Sequence, residues 1–276
     1  LHNGGDLIFA LNKKTGEVKW KFKNEFPFRG NISIKDNYLL ANDYNNNLLA
    51  FLENKLIWKK KLGDSENVIF TNIRPIIHDY KIINPAFNGL FHILNINDGK
   101  LIFSDYLQPN NKMAKIFRNN DIIANPIISD DKIYIISHSG TLASYDLNNL
   151  KLIWSVQIGG GNTPIVSGNG LFILDNNNIL YAINAKNGKI KWMKQLDSII
   201  EEGFYFKDMK KINFMGPFLI DNKLTLFSSN GYLKIIDPLN GKFLKSINFD
   251  LLGTEPIFVE DKLIILTSDG DLKVYK

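Results

Sequence analysis

Apolar and polar positions along the chain fall into short runs of about five residues. The segment 177–192 shows the pattern most fully: Ile179-Leu180-Tyr181-Ala182-Ile183 is apolar throughout, Asn187-Gly188 follows, and Ile190-Lys191-Trp192 alternates apolar with charged. An Asn-Gly pair between two such runs predicts a β-hairpin turning on those two residues. The unit recurs at 6–20, 47–58, 89–103, 140–154, 231–244 and, cut short, at 270–276. Its last strand ends on a large apolar anchor at Trp20, Trp58, Phe103, Trp154, Trp192 and Leu244, giving spacings of 38, 45, 51, 38 and 52 residues. Periods of about 40 to 50 residues point to the blades of a β-propeller.

Ahead of each hairpin stand two more short runs. The first follows or contains a proline, as in Asn125-Pro126-Ile127-Ile128 and Thr163-Pro164-Ile165-Val166, and proline is tolerated where a strand begins. A polar turn such as Ser129-Asp130-Asp131 leads into the second, Lys132-Ile133-Tyr134-Ile135-Ile136. Four strands per unit result. The third, apolar on both faces, must be covered on both sides; the fourth, alternating as in Val18-Lys19-Trp20-Lys21-Phe22, fits a half-exposed outer edge. The expected fold is all-β: a single propeller domain over residues 1–276 with five complete and two partial four-stranded antiparallel blades. Recurrence of Trp20, Trp58, Phe103, Trp154 and Trp192 at one place in the repeat favours wedges between neighbouring blades over platforms for a ligand.

Composition narrows the classes. Hydrophobic residues make up 45% and charged residues 22% of 276 positions, as in an ordinary folded domain. No apolar run approaches the roughly 20 residues that span a bilayer. The net charge of +5 is spread over the outer strands, at Lys19, Lys21, Lys59, Lys61, Lys189, Lys191 and Lys245, where lysine discourages edge-to-edge pairing. No basic and aromatic stripe marks a nucleic-acid surface. Cysteine is absent, so disulfides and thiolate metal sites are excluded. The chain opens on Leu1 in the middle of a unit, and we expect natural sequence, with any export signal, upstream of it.

Catalytic patterns are weak. Asp98, Asp146, Asp237 and Asp271 sit at or beside hairpins, where Asp bonds its own backbone. His2, His78, His92 and His138 fall at different places in the repeat, and Gly159-Gly160-Gly161 leads into a strand, not the helix a phosphate cradle needs. No cofactor or metal site is expected. Function then falls to the three long connections, 63–73, 108–124 and 197–215; the second holds Met113, Ile116, Phe117 and Arg118 and the third Phe204, Tyr205, Phe206, Met209, Phe214 and Met215, residue types enriched in protein interfaces. Folding back to cap the blades is the alternative use of these residues.

The repeat at 182–192, together with Asn230-Gly231-Tyr232-Leu233, Asn240-Gly241-Lys242-Phe243 and Thr254-Glu255-Pro256-Ile257, resembles the pyrroloquinoline-quinone-type propeller repeat of the BamB-like outer-membrane protein assembly lipoproteins. The resemblance implies an eight-bladed intact protein and a non-enzymatic scaffold at the periplasmic face of the outer membrane. Its lipid anchor would lie upstream of Leu1. Its implied partners are the periplasmic domains of a barrel-type assembly protein, with unfolded outer-membrane proteins as a further class. In that family the partner is gripped by connections of the middle blades. Arg118 and Asp121 ahead of Pro126 match one such connection, with Ile123 where a second acidic residue is usual; Phe117 lies beside them. In 64–72, Val68, Ile69 and Phe70 match an apolar patch, without the basic residue that ends it in the family. The repeat also occurs in quinone-dependent dehydrogenases, whose adjacent cysteine pair this chain lacks, and in sensor domains; these are the alternative readings.

Overall fold

A computed structural model describes residues 2, 4–63, 73–86, 89–108, 120–196, 212–259 and 261–275. Twenty-five strands form seven antiparallel sheets among these residues, and each sheet is a meander with neighbouring strands consecutive in sequence. The fold is a β-propeller of four-stranded antiparallel blades. Five sheets have four strands, the first two and the last three. The chain divides into two compact units, Leu1–Gly161 and Asn162–Lys276.

The first unit holds four sheets. Sheet I pairs β1 (Leu7–Leu11) with β2 (Val18–Lys23). Sheet II runs β3 (Phe28–Lys35), β4 (Tyr38–Asp43), β5 (Asn47–Leu52) and β6 (Lys55–Lys61). Sheet III runs β7 (Ile76–His78), β8 (Lys81–Pro85), β9 (Leu90–Asn95) and β10 (Leu101–Tyr106). Sheet IV runs β11 (Ile127–Ser129), β12 (Lys132–Ile136), β13 (Leu142–Asp146) and β14 (Leu152–Val156). In the second unit, sheet V comprises β15 (Ile165–Ser167), β16 (Gly170–Leu174), β17 (Ile179–Asn184) and β18 (Ile190–Gln195). Sheet VI comprises β19 (Phe214–Ile220), β20 (Lys223–Ser228), β21 (Tyr232–Ile236) and β22 (Phe243–Asn248), and sheet VII β23 (Ile257–Val259), β24 (Lys262–Leu266) and β25 (Leu272–Tyr275).

The apolar third strand explains how the sheets stack. Because successive side chains of a strand point to opposite faces, β5 sends Leu49 and Phe51 into a cluster with Ile8, Phe28 and Ala41, and Leu48 and Ala50 into another with Ile82, Leu94 and Ile96. Each buried Leu or Phe contributes about 1.5–3 kcal/mol by leaving water. Trp20 and Phe22 pack on the first cluster and Trp58 on the second. Phe103 packs on a third between sheets III and IV, and Trp192 on a fourth between sheets V and VI. Trp154 is buried as well.

Two local readings are corrected by the backbone. The hairpin in 177–192 does not turn on Asn187-Gly188 alone: the turn spans 185–189, with Gly188 at φ 71° donating its N–H to Asn184 O at 2.8 Å and the Asn184 side chain accepting from Lys186 N at 2.9 Å. The same five-residue turn recurs, with Gly16, Gly99, Leu150 and Gly241 donating to Asn12, Asn95, Asp146 and Asp237 carbonyls, each at 2.9 Å. The second correction is the anchor of sheet VI. A bulge in the last two strands of every four-stranded sheet places Trp58 opposite Ala50, Trp154 opposite Ser144 and Trp192 opposite Ala182. In sheet VI the residue in that register is Lys245, opposite Ile235, and Leu244 occupies the bulge and is exposed.

Candidate functional site

In an antiparallel meander the turn between strands two and three leaves the same end of the sheet as the exit from strand four. The connections 62–75, 107–126 and 157–161 of the first unit therefore start at the end that also carries the turns 44–46, 86–89 and 138–140. Exit and turn are tied: Leu62 N donates to Asn46 O and Leu107 N to Gly89 O, both at 2.9 Å. In the second unit Leu196 N donates to Asn178 O at 3.0 Å and Phe249 N to Gly231 O at 2.7 Å. In sheets II and IV to VII one side chain closes this turn by accepting from the backbone N–H four residues on, whereas in sheet III Ala86 N donates to Leu90 O at 2.8 Å. Asp43 receives Asn47 at 2.9 Å, Ser137 Thr141 at 3.1 Å, Asp175 Ile179 at 2.7 Å, Ser228 Tyr232 at 3.0 Å and Thr267 Asp271 at 3.0 Å.

A polar cluster underlies this end of sheet II. The Asp43 carboxylate is fully buried and accepts from Asn45 N, Asn47 N, Asn24 Nδ2 and Asn47 Nδ2 at 2.8–2.9 Å. Lys59 Nζ stands 3.8 Å from it and donates to Asn24 Oδ1 at 3.1 Å, so this lysine neutralises a buried carboxylate rather than only guarding an edge. Arg29 donates through Nε to Asp43 O at 2.9 Å and through Nη2 to Asn46 Oδ1 at 3.1 Å. Burial pushes its guanidinium down to about 10, partly offset by Asp43, Tyr44 and Asp121.

The base of the connection 107–126 is equally constrained. Asn120 Nδ2 donates to Leu107 O, and its Oδ1 accepts from Ser139 Oγ. Thr141 Oγ1 donates to Gln108 O and His138 N to Asp121 O, each at 2.8 Å. Glycines make the room. A β-carbon on Gly159 would lie 2.5 Å from Gly140 Cα and 2.7 Å from His138 O, and one on Gly161 2.9 Å from Ile123 Cδ1. Gly159 thus lets the chain cross directly over the turn 138–140, and Gly161 leaves room for Ile123.

Of the residues the sequence assigns to partner binding, Asp121 alone is described; Ile69, Phe70, Phe117 and Arg118 lie outside the described residues, as does most of the third long connection. Asp121 is 8% exposed, with its carbonyl occupied by His138. Arg29, Asp43 and Asn120 escaped the sequence reading, although an Asp, Ser or Thr at one fixed place before the second turn of sheets II and IV to VII was a visible signal for the turn closers. Asp98, Asp146 and Asp237 bond backbone N–H groups of their own turns, and those bonds lower Asp98 and Asp146 below the usual carboxylate range. No group of three or more metal-ligating side chains occurs among the described residues. In the first unit a cavity of about 660 Å³ opens between sheets I and II, lined by Phe9, Leu11, Tyr38, Phe51, Asp36 and Glu53.

The chain is similar to proteins of one family and shares its fold with others. The family model described as "Outer membrane protein assembly factor BamB" matches residues 2–194. A protein of that name from Moranella endobia is 26% identical over 276 residues, covering 96% of this chain. The chain spans 66% of that relative's length. The crystal structure of BamB from Moraxella catarrhalis superposes with a TM-score of 0.80 at 15% identity, covering 98% of this chain and 79% of that one. A quinohemoprotein alcohol dehydrogenase from Pseudomonas putida shares the fold at a TM-score of 0.61 and 15% identity, over 89% of this chain and 44% of its own.

Proposed function

The chain belongs to the family of the outer membrane protein assembly factor BamB, and from that premise we propose that it is a non-enzymatic scaffold of outer-membrane protein assembly. It would work at the periplasmic face of the membrane, held there by a lipid anchor. Its partner would be the periplasmic part of the barrel-type assembly protein, with unfolded outer-membrane proteins as a second class of client. Docking would use the end of sheets II to IV that carries the connections 62–75 and 107–126. The observation that supports this reading best is the construction of that end, where the ends of two long connections are tied to the turns beside them. Function on a rigid scaffold is carried by such connections.

Within this reading Phe117 and Arg118 supply the aromatic and cationic contact, and Ile69 and Phe70 an apolar one. Asp121, buried beside Arg29, supports the connection from beneath. The test is capture of the assembly protein from a solubilised outer-membrane fraction by wild type and by Phe117→Ser with Arg118→Glu. Loss of capture in the double variant, with thermal unfolding unchanged, supports the assignment. Failure of the wild type to retain any assembly component would overturn it.

A further inference from the structure

We propose that Asn120 is the positioning residue of the partner-contacting connection, joining its outgoing and returning ends into one fixed base. The inference rests on the docking role given above to the connection 107–126. It starts from the chemistry of a single buried amide. Asn120 is 1% exposed. Its Nδ2 donates to the carbonyl of Leu107, at the end leaving β10, while its Oδ1 accepts from Ser139 Oγ in the turn 138–140. Leu107 O needs a donor, which the amide nitrogen supplies while the amide oxygen accepts from the Ser139 hydroxyl; an ionised aspartate there would point an acceptor at Leu107 O.

The surrounding backbone is arranged around that amide. Leu107 N is held by Gly89 O at 2.9 Å, Gln108 O accepts from Thr141 Oγ1 at 2.8 Å, and Asp121 O accepts from His138 N at 2.8 Å. Gly89, at φ 80°, leaves the space free: a β-carbon there would strike the Asn120 amide and lie 2.9 Å from Leu107 O. The device recurs in the second unit, where Asn178 accepts Leu196 N on its carbonyl at 3.0 Å and donates Nδ2 to Ile212 O at 2.5 Å, gripping both ends of the connection 197–211. Ends already held in this way need no ordering when the connection meets its partner, which is the advantage of a preorganised contact. The partner surface this suits is apolar with carboxylates.

The experiment compares wild type, Asn120→Ala, Asn120→Asp and the milder Ser139→Ala in the full chain. Two readouts are taken: the rate of tryptic cleavage after Lys112, Lys115 or Arg118, and capture of the assembly protein from solubilised outer membrane. Losing the buried hydrogen bonds is expected to speed cleavage and weaken capture by about tenfold in both Asn120 variants, with a smaller change in Ser139→Ala. Arg118→Glu should add nothing further to the capture defect of Asn120→Ala, because both act through one contact. Cleavage and capture unchanged in all three variants would overturn the inference while leaving the docking role standing. Faster cleavage in the Asn120 variants alongside a wild type that captures nothing supports the closed base and instead defeats the docking role.

Discussion

Trp58 lies flat against Gly99: a β-carbon on that glycine would sit 2.9 Å from the indole Cδ2 and Cε3, and the indole Nε1 donates to Ile96 O at 2.8 Å. The last strand of sheet II is thereby fixed to the third turn of sheet III. Gly241 and Trp192 repeat the arrangement, with Trp192 Nε1 donating to Pro238 O at 3.0 Å. Gly99 is required twice over, by its φ of 66° and by the ring above it. Gly99→Ala is therefore expected to cost about 2–5 kcal/mol, the sum of a left-handed backbone penalty and an overpacking term. Urea unfolding checks this; a loss of under about 0.5 kcal/mol would show that the indole moves aside freely.

Phe103 and Ile93 form a departure that shows how the wedge is sized. Trp20, Trp58 and Trp192 each stand opposite an alanine, whereas the smaller Phe103 stands opposite the larger Ile93. The next turn compensates in the same direction, placing Leu150 at φ 61° where its counterparts carry glycine. Phe103→Trp alone should overpack, and Ile93→Ala alone should leave a cavity, each costing about 1–4 kcal/mol. Together they recreate the pair of sheets I, II and V. The double variant should recover at least about 1 kcal/mol over the sum, and strict additivity in a denaturation cycle would refute the volume exchange.

How much of this was legible follows from the range of each interaction. Period-two runs and glycine punctuation are local, so the hairpins, the apolar third strand and the set of five complete and two partial sheets could be read from Leu7–Leu11, Ile179–Asn184 and their repeats. A one-residue bulge is also local but carries no composition signal, which is why Leu244 looked like an anchor and Lys245 did not. Asn120 was illegible for another reason. Its partners, Leu107 and Ser139, are 13 and 19 residues away, and nothing in the sequence marks one asparagine among many as the one that meets them.

Asp43 and Ser137 close equivalent turns with unequal stakes. Ser137 Oγ receives one N–H and contacts Thr141 O at 3.3 Å, whereas Asp43 gathers four donors and faces Lys59 in full burial. Ser137→Ala should cost about 1 kcal/mol, as the loss of an ordinary hydrogen bond. Asp43→Ala should cost about 3–5 kcal/mol, because it strands Asn24, Asn47 and Lys59 without their acceptor. The two variants compared in the same chemical denaturation series give the ratio, and equal losses would mean that the buried cluster is no stronger than a turn cap.

His92 gives the molecule a pH dependence in the range where carboxylates are silent. It lies on β9 with Nδ1 3.0 Å from Ser104 Oγ, and burial lowers its titration from the ordinary 6.5, the Leu62 backbone pulling the other way. A histidine lowered by folding takes up its proton more readily in the unfolded chain. The stability it contributes is therefore complete above 6.5 and is lost as the pH falls through 6.5 towards the folded value. Asp98, Asp146 and Asp250 are also held low, but their contribution is lost only on acidification through the carboxylate range. Unfolding midpoints at about pH 7.5 and about pH 5.5 separate the two windows. Wild type should lose stability between them, and His92→Gln, uncharged throughout, should lose markedly less; matching slopes for the two proteins would assign the dependence elsewhere.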